Sequence, residues 1–240
     1  EWPAQWEGYH WPGYTWEHTL RVRVLALRLA QEMGAARDVV EPAALLHDIE
    51  KPAGREHAAL GAREAARLLA ERGVDEELAA RVVDAIATHA GGNTPTHPAE
   101  NLALGDADLI DANFGLVGVW RFITIRAGHG TGVEETIRAM PEWLPKKDEL
   151  LGLLNTDAGR AVADDRRTQM HEFCAALSRA PDDGKAGAAL PALVRHINAE
   201  CARGSISAQL PALRVIAAQS GDPIALAVVE RLADEAAGRA

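Results

Sequence analysis

Helical periodicity runs through almost all of this 240-residue sequence, and no segment alternates apolar and polar residues as a half-buried strand does. Gly34, Pro52 and Gly73 each follow an apolar-periodic segment, as residues that stop a helix do. Ala, Leu, Arg and Glu, which favour helix, dominate the composition. The predicted helices cover residues 17–33, 38–48, 57–72, 75–89, 98–112, 114–126, 157–179, 188–203, 206–219 and 222–238. The sequence therefore predicts an all-α fold.

One segment divides this helical pattern. PDDGKAG at 181–187 is rich in the residues that form loops, so it is the best candidate for a boundary. We predict a main domain over 1–180 and a helical extension over 181–240. PEWLPKK at 141–147 carries two prolines and is expected to form a linker or a turn. The extension is compatible with a homodimer, with a cap on the core, or with binding of another partner.

The overall charge and the cysteines limit the class of protein. A net charge of −10 argues against a dedicated nucleic-acid binder, which usually presents a basic face. A small phosphorylated substrate is still possible, because a bound metal ion can reverse the local field. Cys174 and Cys201 lie far apart, as expected in a reducing cytoplasm, and no apolar run reaches the ~20 residues of a membrane span. We therefore expect a cytoplasmic protein that is not inserted in a membrane.

Five predicted helices each place one ionisable residue on an apolar face. Any one of them alone is more often a core residue with a satisfied hydrogen bond than a ligand. Burying all five without partners would cost several kcal/mol for each group. Divalent cations would pair these groups, and a mixture of imidazole and carboxylate suits Mn, Fe, Co, Ni or Zn. The five residues are His18, His47, His57, His89 and Asp106. The sequence predicts one or two transition-metal ions among them.

The segment ALLHDIEKP, residues 44–52, ends an apolar helix on His47 and Asp48. Adjacent side chains on a helix point ~100° apart, so they can share one ion only where the helix ends. Pro52 provides such an end, and Asp48 could then bridge two ions. Lys51 follows His47 by four residues and is our first candidate for a contact with substrate phosphate. The alternative is a surface lysine that begins a loop.

The ordered pattern H…HD…H…H…D resembles the HD superfamily of metal-dependent phosphohydrolases. HDIEKP is similar to the HDIGKP-type segment of that family, with Glu50 where many relatives have Gly. EHTLRV, HAALGAREAARLL and LGDADLIDANFGLVGVWR resemble further elements of the family, and the resemblance covers roughly residues 14–178. It implies an HD-type helical bundle, to which residues 181–240 add a segment without a recognised counterpart.

The resemblance also implies a set of ligands. A first metal would be held by His18, His47, Asp48 and Asp106. A second would be held by His57 and His89, with Asp48 bridging the two ions. In a one-metal version, His57 and His89 would bind substrate phosphate or water instead. Asp48 and Lys51 are the residues to which we assign catalytic roles.

Other charged residues near this pattern are expected to lie outside the ligand set. Asp108 is two residues from Asp106 and should point elsewhere on its helix. Asp111 is a candidate hydrogen-bond partner for a metal-bound imidazole. Arg121 and Arg126 could reach a nucleotide phosphate, but arginines in such positions are usually solvated.

Three functions are compatible with these residues and with the resemblance. The first is metal-dependent hydrolysis of phosphate esters or anhydrides by metal-activated water, on nucleotides or another small phosphorylated metabolite. The second is a diiron oxygenase of the myo-inositol oxygenase type, which uses a similar set of ligands. The third is a non-catalytic helical regulator that binds a nucleotide or a protein partner.

Overall fold

The computed structural model describes residues 12–179 and 189–239, which fold into α-helices joined by turns, without a strand in these ranges. Short 3-10 segments lie at Lys51–Glu56, Glu149–Leu153 and Cys201–Arg203. The helices are α1 (Pro12–Met33), α2 (Arg37–Leu46), α3 (His57–Glu71), α4 (Glu76–Thr88), α5 (Ala99–Asn113), α6 (Gly115–Gly128), α7 (Val133–Asp148), α8 (Asp157–Arg179), α9 (Ala189–Ala199), α10 (Ile206–Ser220) and α11 (Pro223–Ala236). The predicted all-α fold is confirmed.

The first five helices form the layer that carries the predicted site residues. Helix α1 packs against α2 and α5, and α4 packs against α2, α3 and α5. Helix α5 is buried on nearly every side from Glu100 to Ala107, as expected for a central helix with few exposed positions. Asp75 caps α4 by accepting hydrogen bonds from the backbone N–H groups of Glu77 and Leu78. The ends of α2 and α4 therefore meet beside α1 and α5.

Helix α7 occupies the segment that we expected to be a linker or a turn, so that expectation is wrong. Pro141 and Pro145 both lie inside the helix and on its exposed side. Thr136, Met140 and Leu144 recur every four residues and are buried. Burial of this stripe stabilises the helix despite the hydrogen bonds that the two prolines cannot donate.

Two of the three C-terminal helices pack on α6, and α10 packs on those two. Helices α9 and α11 contact α6, and their buried apolar side chains join one continuous core with those of α1 to α8. Trp120 donates its indole N–H to Gln209 at 3.0 Å, and the backbone N–H of Val117 donates to Glu235 at 3.0 Å. The predicted boundary at 181–187 lies outside the described residues. Within the described ranges, a helix long and apolar enough to cross a membrane is not found.

Candidate metal centre

Four imidazoles converge where α2 and α4 end. His47 and His89 are the first residues beyond α2 and α4, His57 begins α3, and His18 lies in α1. All four are buried, as the apolar faces of their helices predict. The ring centroids of His47 and His89 are 5.0 Å apart, and those of His57 and His89 are 5.1 Å apart. The chain therefore brings together four imidazoles from four separate helices.

Three of these rings are held by the same backbone contact. The Nδ1 atoms of His47, His57 and His89 lie 2.7, 2.6 and 2.6 Å from the carbonyl oxygen three residues earlier in the chain. A carbonyl oxygen can only accept, so each Nδ1 donates its proton, and the neutral ring keeps its lone pair on Nε2. The three Nε2 atoms face inward, in the form in which imidazole binds a metal ion.

His18 is oriented by a carboxylate instead of a carbonyl. Its Nδ1 lies 2.7 Å from Oδ2 of Asp111, and Arg21 donates to both oxygens of Asp111 at 2.8 and 3.0 Å. Burial raises the pKa of Asp111, but Arg21 and the hydrogen bond from His18 outweigh this effect and hold it well below its usual range. Asp111 is thus the hydrogen-bond partner that we expected, whereas Arg21 lies behind Asp111.

Asp48 lies at the centre of the four rings. Its Oδ2 is 3.6 Å from Nε2 of His18 and 3.5 Å from Nε2 of His47. Its Oδ1 is 3.5 Å from Nε2 of His57 and 3.7 Å from Nε2 of His89. One oxygen therefore faces each pair of rings, which is the arrangement a bridging carboxylate requires. Lys51 also donates to Oδ1 at 2.9 Å.

Asp106 does not join this cluster. Its Oδ1 accepts from the backbone N–H of Asn155, and its Oδ2 accepts from the backbone N–H and the hydroxyl of Thr156. These bonds tie α5 to the turn that precedes α8, and they use both oxygens of the carboxylate. The expectation that Asp106 lies beside His18 and His47 is therefore not met, because its side of α5 faces α8.

Asp108 lies where Asp106 was expected. Its Oδ1 is 3.0 Å from Nε2 of His18 and 3.8 Å from Nε2 of His47. Asp108 and Asp111 are three residues apart and therefore share one side of the helix, whereas Asp106 points ~200° away from Asp108. That i, i+3 spacing is a signal in the sequence that could have identified Asp108. An apolar neighbourhood could not distinguish Asp106 from Asp108, because α5 is buried on nearly every side.

Two sets of ligand atoms within the cluster have the spacing of a metal site. One consists of His18, His47 and Asp108, and the other of His47, Asp48 and His89; in each set the ligand atoms lie within 4.8 Å of one another. Nε2 of His47 and Oδ2 of Asp48 are buried and have no hydrogen-bond partner among the described residues. Such atoms are costly to bury unless something binds them.

A third observation also fits a cation. The Nε2 atoms of His57 and His89 lie 3.2 Å apart, while the Nδ1 protons of both rings bond to carbonyl oxygens. Two inward-facing lone pairs at this distance require a positive charge near them. Burial lowers the pKa of His47 to about 4, so this ring stays neutral and able to act as a ligand at neutral pH. The residues present therefore fit one or two divalent cations.

Cavities adjoin the cluster. The first is about 750 Å³ and reaches the cluster at Lys51 and His57. The second is about 520 Å³ and reaches it at His89 and Asp108. Further side chains that line the first cavity are Arg55, Asn113, Arg121, Phe122, Arg126, Trp143 and Lys147. The cluster is therefore accessible to a small molecule.

Known proteins share this sequence pattern and fold. The family model of the HD domain matches residues 15–113 of this chain. The Bacillus subtilis (strain 168) protein YpgQ is 31% identical over 174 residues, which span 70% of this chain and 84% of YpgQ. This chain belongs to the HD family. The family explains why the His and Asp residues of the cluster occur in this order along the chain.

The solved structure of YpgQ gives the same result for the fold. The crystal structure of Bacillus subtilis YpgQ in complex with ADP has a TM-score of 0.56 to this chain and is 27% identical. It covers 73% of this chain and 93% of YpgQ. A predicted HD superfamily hydrolase from an uncultured Thermotogales bacterium is also 27% identical, with a TM-score of 0.49, over 69% of this chain and 80% of its own.

Proposed function

We propose that this HD protein is a metal-dependent hydrolase of phosphate esters or anhydrides that acts on nucleotides or another small phosphorylated metabolite. The observation that carries the proposal is the shared orientation of the four imidazoles. Each has a hydrogen-bond partner at Nδ1, and each turns Nε2 towards Asp48. A structural histidine needs one satisfied nitrogen, whereas four inward lone pairs around one carboxylate fit the binding of cations.

The proposed ligands follow from these distances. His18, His47, Asp48 and Asp108 would hold a first divalent cation, with Asp108 in the place that we had given to Asp106. His57 and His89 would hold a second cation, with Asp48 between the two. A divalent cation held there would lower the pKa of a bound water molecule and neutralise charge on phosphoryl oxygens.

The residues around the cluster would bind and orient the substrate. Lys51 reaches Oδ1 of Asp48 and also lines the larger cavity, so its ammonium group can contact a phosphoryl oxygen beside the cluster. Asp111 and Arg21 would keep the ring of His18 in place. The YpgQ structure with ADP supports a nucleotide as the ligand of this chain too.

The cavity favours a phosphohydrolase over the diiron oxygenase. Lys51, Arg55, Arg121, Arg126 and Lys147 all line it. Cations in this number suit an anionic substrate, whereas a polyol such as inositol is uncharged. The same cations and the intact ligand set make a purely regulatory role the weaker alternative.

The test combines metal content with turnover. Wild-type protein and the variants Asp48→Asn and Glu56→Gln would be assayed for bound transition metal and for phosphate release. The substrates would be nucleoside mono-, di- and triphosphates and simple phosphomonoesters, with added Mn(II) or Co(II). We expect Asp48→Asn to lose metal and at least about 100-fold in rate. Glu56, which is exposed at the end of the 3-10 segment that follows Asp48, is the matched control and should change neither measurement.

Two outcomes would contradict the proposal. The first is that the wild-type protein contains no transition metal and that the metal content of Asp48→Asn is the same. The second is bound iron with consumption of dioxygen and no release of phosphate from any of these substrates, which would assign the oxygenase reaction instead.

A further inference from the structure

The cavity wall formed by α6 and α7 carries three cationic side chains. Arg121 and Arg126 come from α6, and Lys147 comes from the end of α7. We call these three residues the α6–α7 wall. They are separate from the proposed metal ligands, which come from α1, α3, α5 and the ends of α2 and α4.

Two aromatic rings hold part of this wall in place. Phe122 and Trp143 stack with their ring centroids 4.5 Å apart. The guanidinium of Arg126 lies 5.6 Å from the Phe122 centroid, and the ammonium of Lys147 lies 5.7 Å from the Trp143 centroid. The two stacked rings therefore have a cationic side chain next to each of them. Contacts of this kind fix the position of charged groups that would otherwise move freely in water.

The charges on the wall are only partly compensated. Lys147 donates to the neutral Oδ1 of Asn113 at 2.7 Å, and Arg121 donates to the carbonyl oxygen of Ala112 at 2.9 Å. The Nε atoms of Arg121 and Arg126 are buried without a hydrogen-bond partner among the described residues. Arg126 has one acidic partner, Glu135, at 3.3 Å on the exposed side.

The cavity itself supplies no negative charge to balance the wall. Among the described residues that line it, none is Asp or Glu. The smaller cavity, at His89, is lined by no Lys or Arg among the described residues, and its lining includes Asp106 and Asp108. An anionic group that extends from the cluster is therefore attracted towards the α6–α7 wall and repelled from the smaller cavity.

We propose that Arg121, Arg126 and Lys147 form an anion subsite that binds the phosphates adjoining the one attacked at the metal cluster. The substrate then carries two or more linked phosphates, as a nucleoside diphosphate or triphosphate does. This inference rests on the proposed function where it calls the ligand a substrate, but the subsite itself can be tested without turnover. Half-buried Lys147 is its central residue, because it has no carboxylate partner among the described residues and lines the same cavity as Arg121.

The first experiment measures binding of inorganic tripolyphosphate to metal-depleted protein by calorimetry. Wild type, Lys147→Met and Lys146→Met would be compared; Lys146 is the neighbouring residue, exposed on the same helix and absent from the cavity lining. Loss of one charge-assisted contact should weaken binding by about 10- to 100-fold in Lys147→Met. Lys146→Met should stay within about twofold of wild type, because an exposed charge has little effect.

The second experiment compares substrates of different phosphate number. In Lys147→Met, KM for a nucleoside triphosphate should rise by about tenfold, while KM for the matching monophosphate changes by less than about twofold. Lys147→Arg should restore the triphosphate value, and the Arg126→Gln variant provides a second measurement if Lys147→Met does not fold.

Three results would overturn the subsite. The first is that Lys147→Met and Arg126→Gln bind tripolyphosphate as tightly as wild type. The second is that the Lys146→Met control loses as much affinity as Lys147→Met. The third is that Lys147→Met changes KM for the monophosphate and for the triphosphate by the same factor. A wild-type protein that hydrolyses no phosphate compound would reject the proposed function alone. In that case, tripolyphosphate binding that depends on Lys147 would still establish the anion subsite.

Discussion

Each imidazole in the cluster is oriented by the group bound to its outer nitrogen. His47, His57 and His89 use a carbonyl oxygen three residues earlier, so the turn of chain that places the ring also sets its tautomer. His18 lies in the middle of a helix, where the nearby carbonyl groups are already bonded, and it uses Asp111 instead. A ring at the end or start of a helix can therefore use the backbone, whereas a ring within a helix needs a second side chain.

Substitutions of Asp106 and Asp108 in α5 should separate metal binding from folding. We expect Asp108→Asn to lower the metal content, because it removes a negative charge beside His18 and His47. Asp106→Asn should keep its metal and destabilise the fold by about 1–3 kcal/mol, because an amide cannot accept all the bonds from Asn155 and Thr156. Elemental analysis and urea unfolding measure the two effects. Metal loss in Asp106→Asn alone would show that these roles are reversed.

Lys147 should make substrate binding depend on pH. Burial, with a smaller contribution from Arg121, lowers the pKa of Lys147 to about 8. The side chain is charged below that pH and neutral above it, so affinity for a polyphosphate should fall as pH rises through about 8. The Lys147→Arg variant keeps its positive charge throughout this range, so its KM for the polyphosphate should not increase between pH 7 and 9. Identical KM profiles for the two proteins between pH 7 and 9 would contradict the prediction.

At the residue scale, periodicity predicts which residues are buried, but not which of two nearby aspartates faces the cluster. Periodicity predicted correctly that His18, His47, His57 and His89 are buried. It could not choose between Asp106 and Asp108, because both lie on a helix that packs against other helices on nearly every side. The positions of α1 and α8 around α5 determine which carboxylate faces the cluster, and in the sequence the only indication of this is the i, i+3 spacing of Asp108 and Asp111.

At the scale of elements, two helices are capped by residues far away in the chain. Glu235 of α11 accepts the backbone N–H of Val117 at the start of α6, where Gly115 has φ +83°. A Cβ at Gly115 would lie 2.3 Å from a Glu235 oxygen, so glycine leaves the space that this carboxylate fills. In turn, Glu17 of α1 accepts from the backbone N–H of Ile206 at the start of α10. These contacts join the C-terminal helices to the helices that line the site.

Removing the cap on α6 should destabilise the protein measurably. Glu235→Ala leaves the buried N–H of Val117 without a partner, at a cost of about 1–3 kcal/mol. Glu235→Gln keeps an acceptor oxygen and should cost less than half as much. Glu230→Ala, an exposed change on the same helix, should stay within about 0.5 kcal/mol of wild type. Urea unfolding measures all three, and equal stabilities for Glu235→Ala and Glu230→Ala would refute the role of the cap.

The helices themselves were largely predictable, and the exceptions have a physical reason. The stops at Gly34 and Gly73 and the cap at Asp75 follow from local chemistry that the sequence displays directly. Helix α7 was missed because Pro141 and Pro145 argue against a helix locally, whereas burial of Met140 and Leu144 stabilises it. Tertiary packing overrode local preference there, and packing partners cannot be read from one segment.

For the whole molecule, the question is whether the last helices form a unit of their own. The sequence predicted a division near residue 181, and the apolar core of the described residues continues across it. We expect a chain that ends at residue 188 to lose cooperative unfolding, because it exposes Trp120 and the apolar side of α6. Calorimetry and size-exclusion chromatography test this expectation. A monomeric fragment with a sharp transition and normal metal content would instead support the predicted division.

The contact between Glu17 and Ile206 has a consequence for biosynthesis. The two residues lie 189 positions apart, and Glu17 is the residue before His18. A ribosome adds about 5–20 residues each second, so about 10 to 40 seconds separate the synthesis of the two partners. Throughout that interval the nascent chain presents α1 and its neighbours without the helices that complete them. This part of the fold is therefore completed only after Ile206 has been synthesised, and the apolar surface that it covers is exposed to chaperones until then.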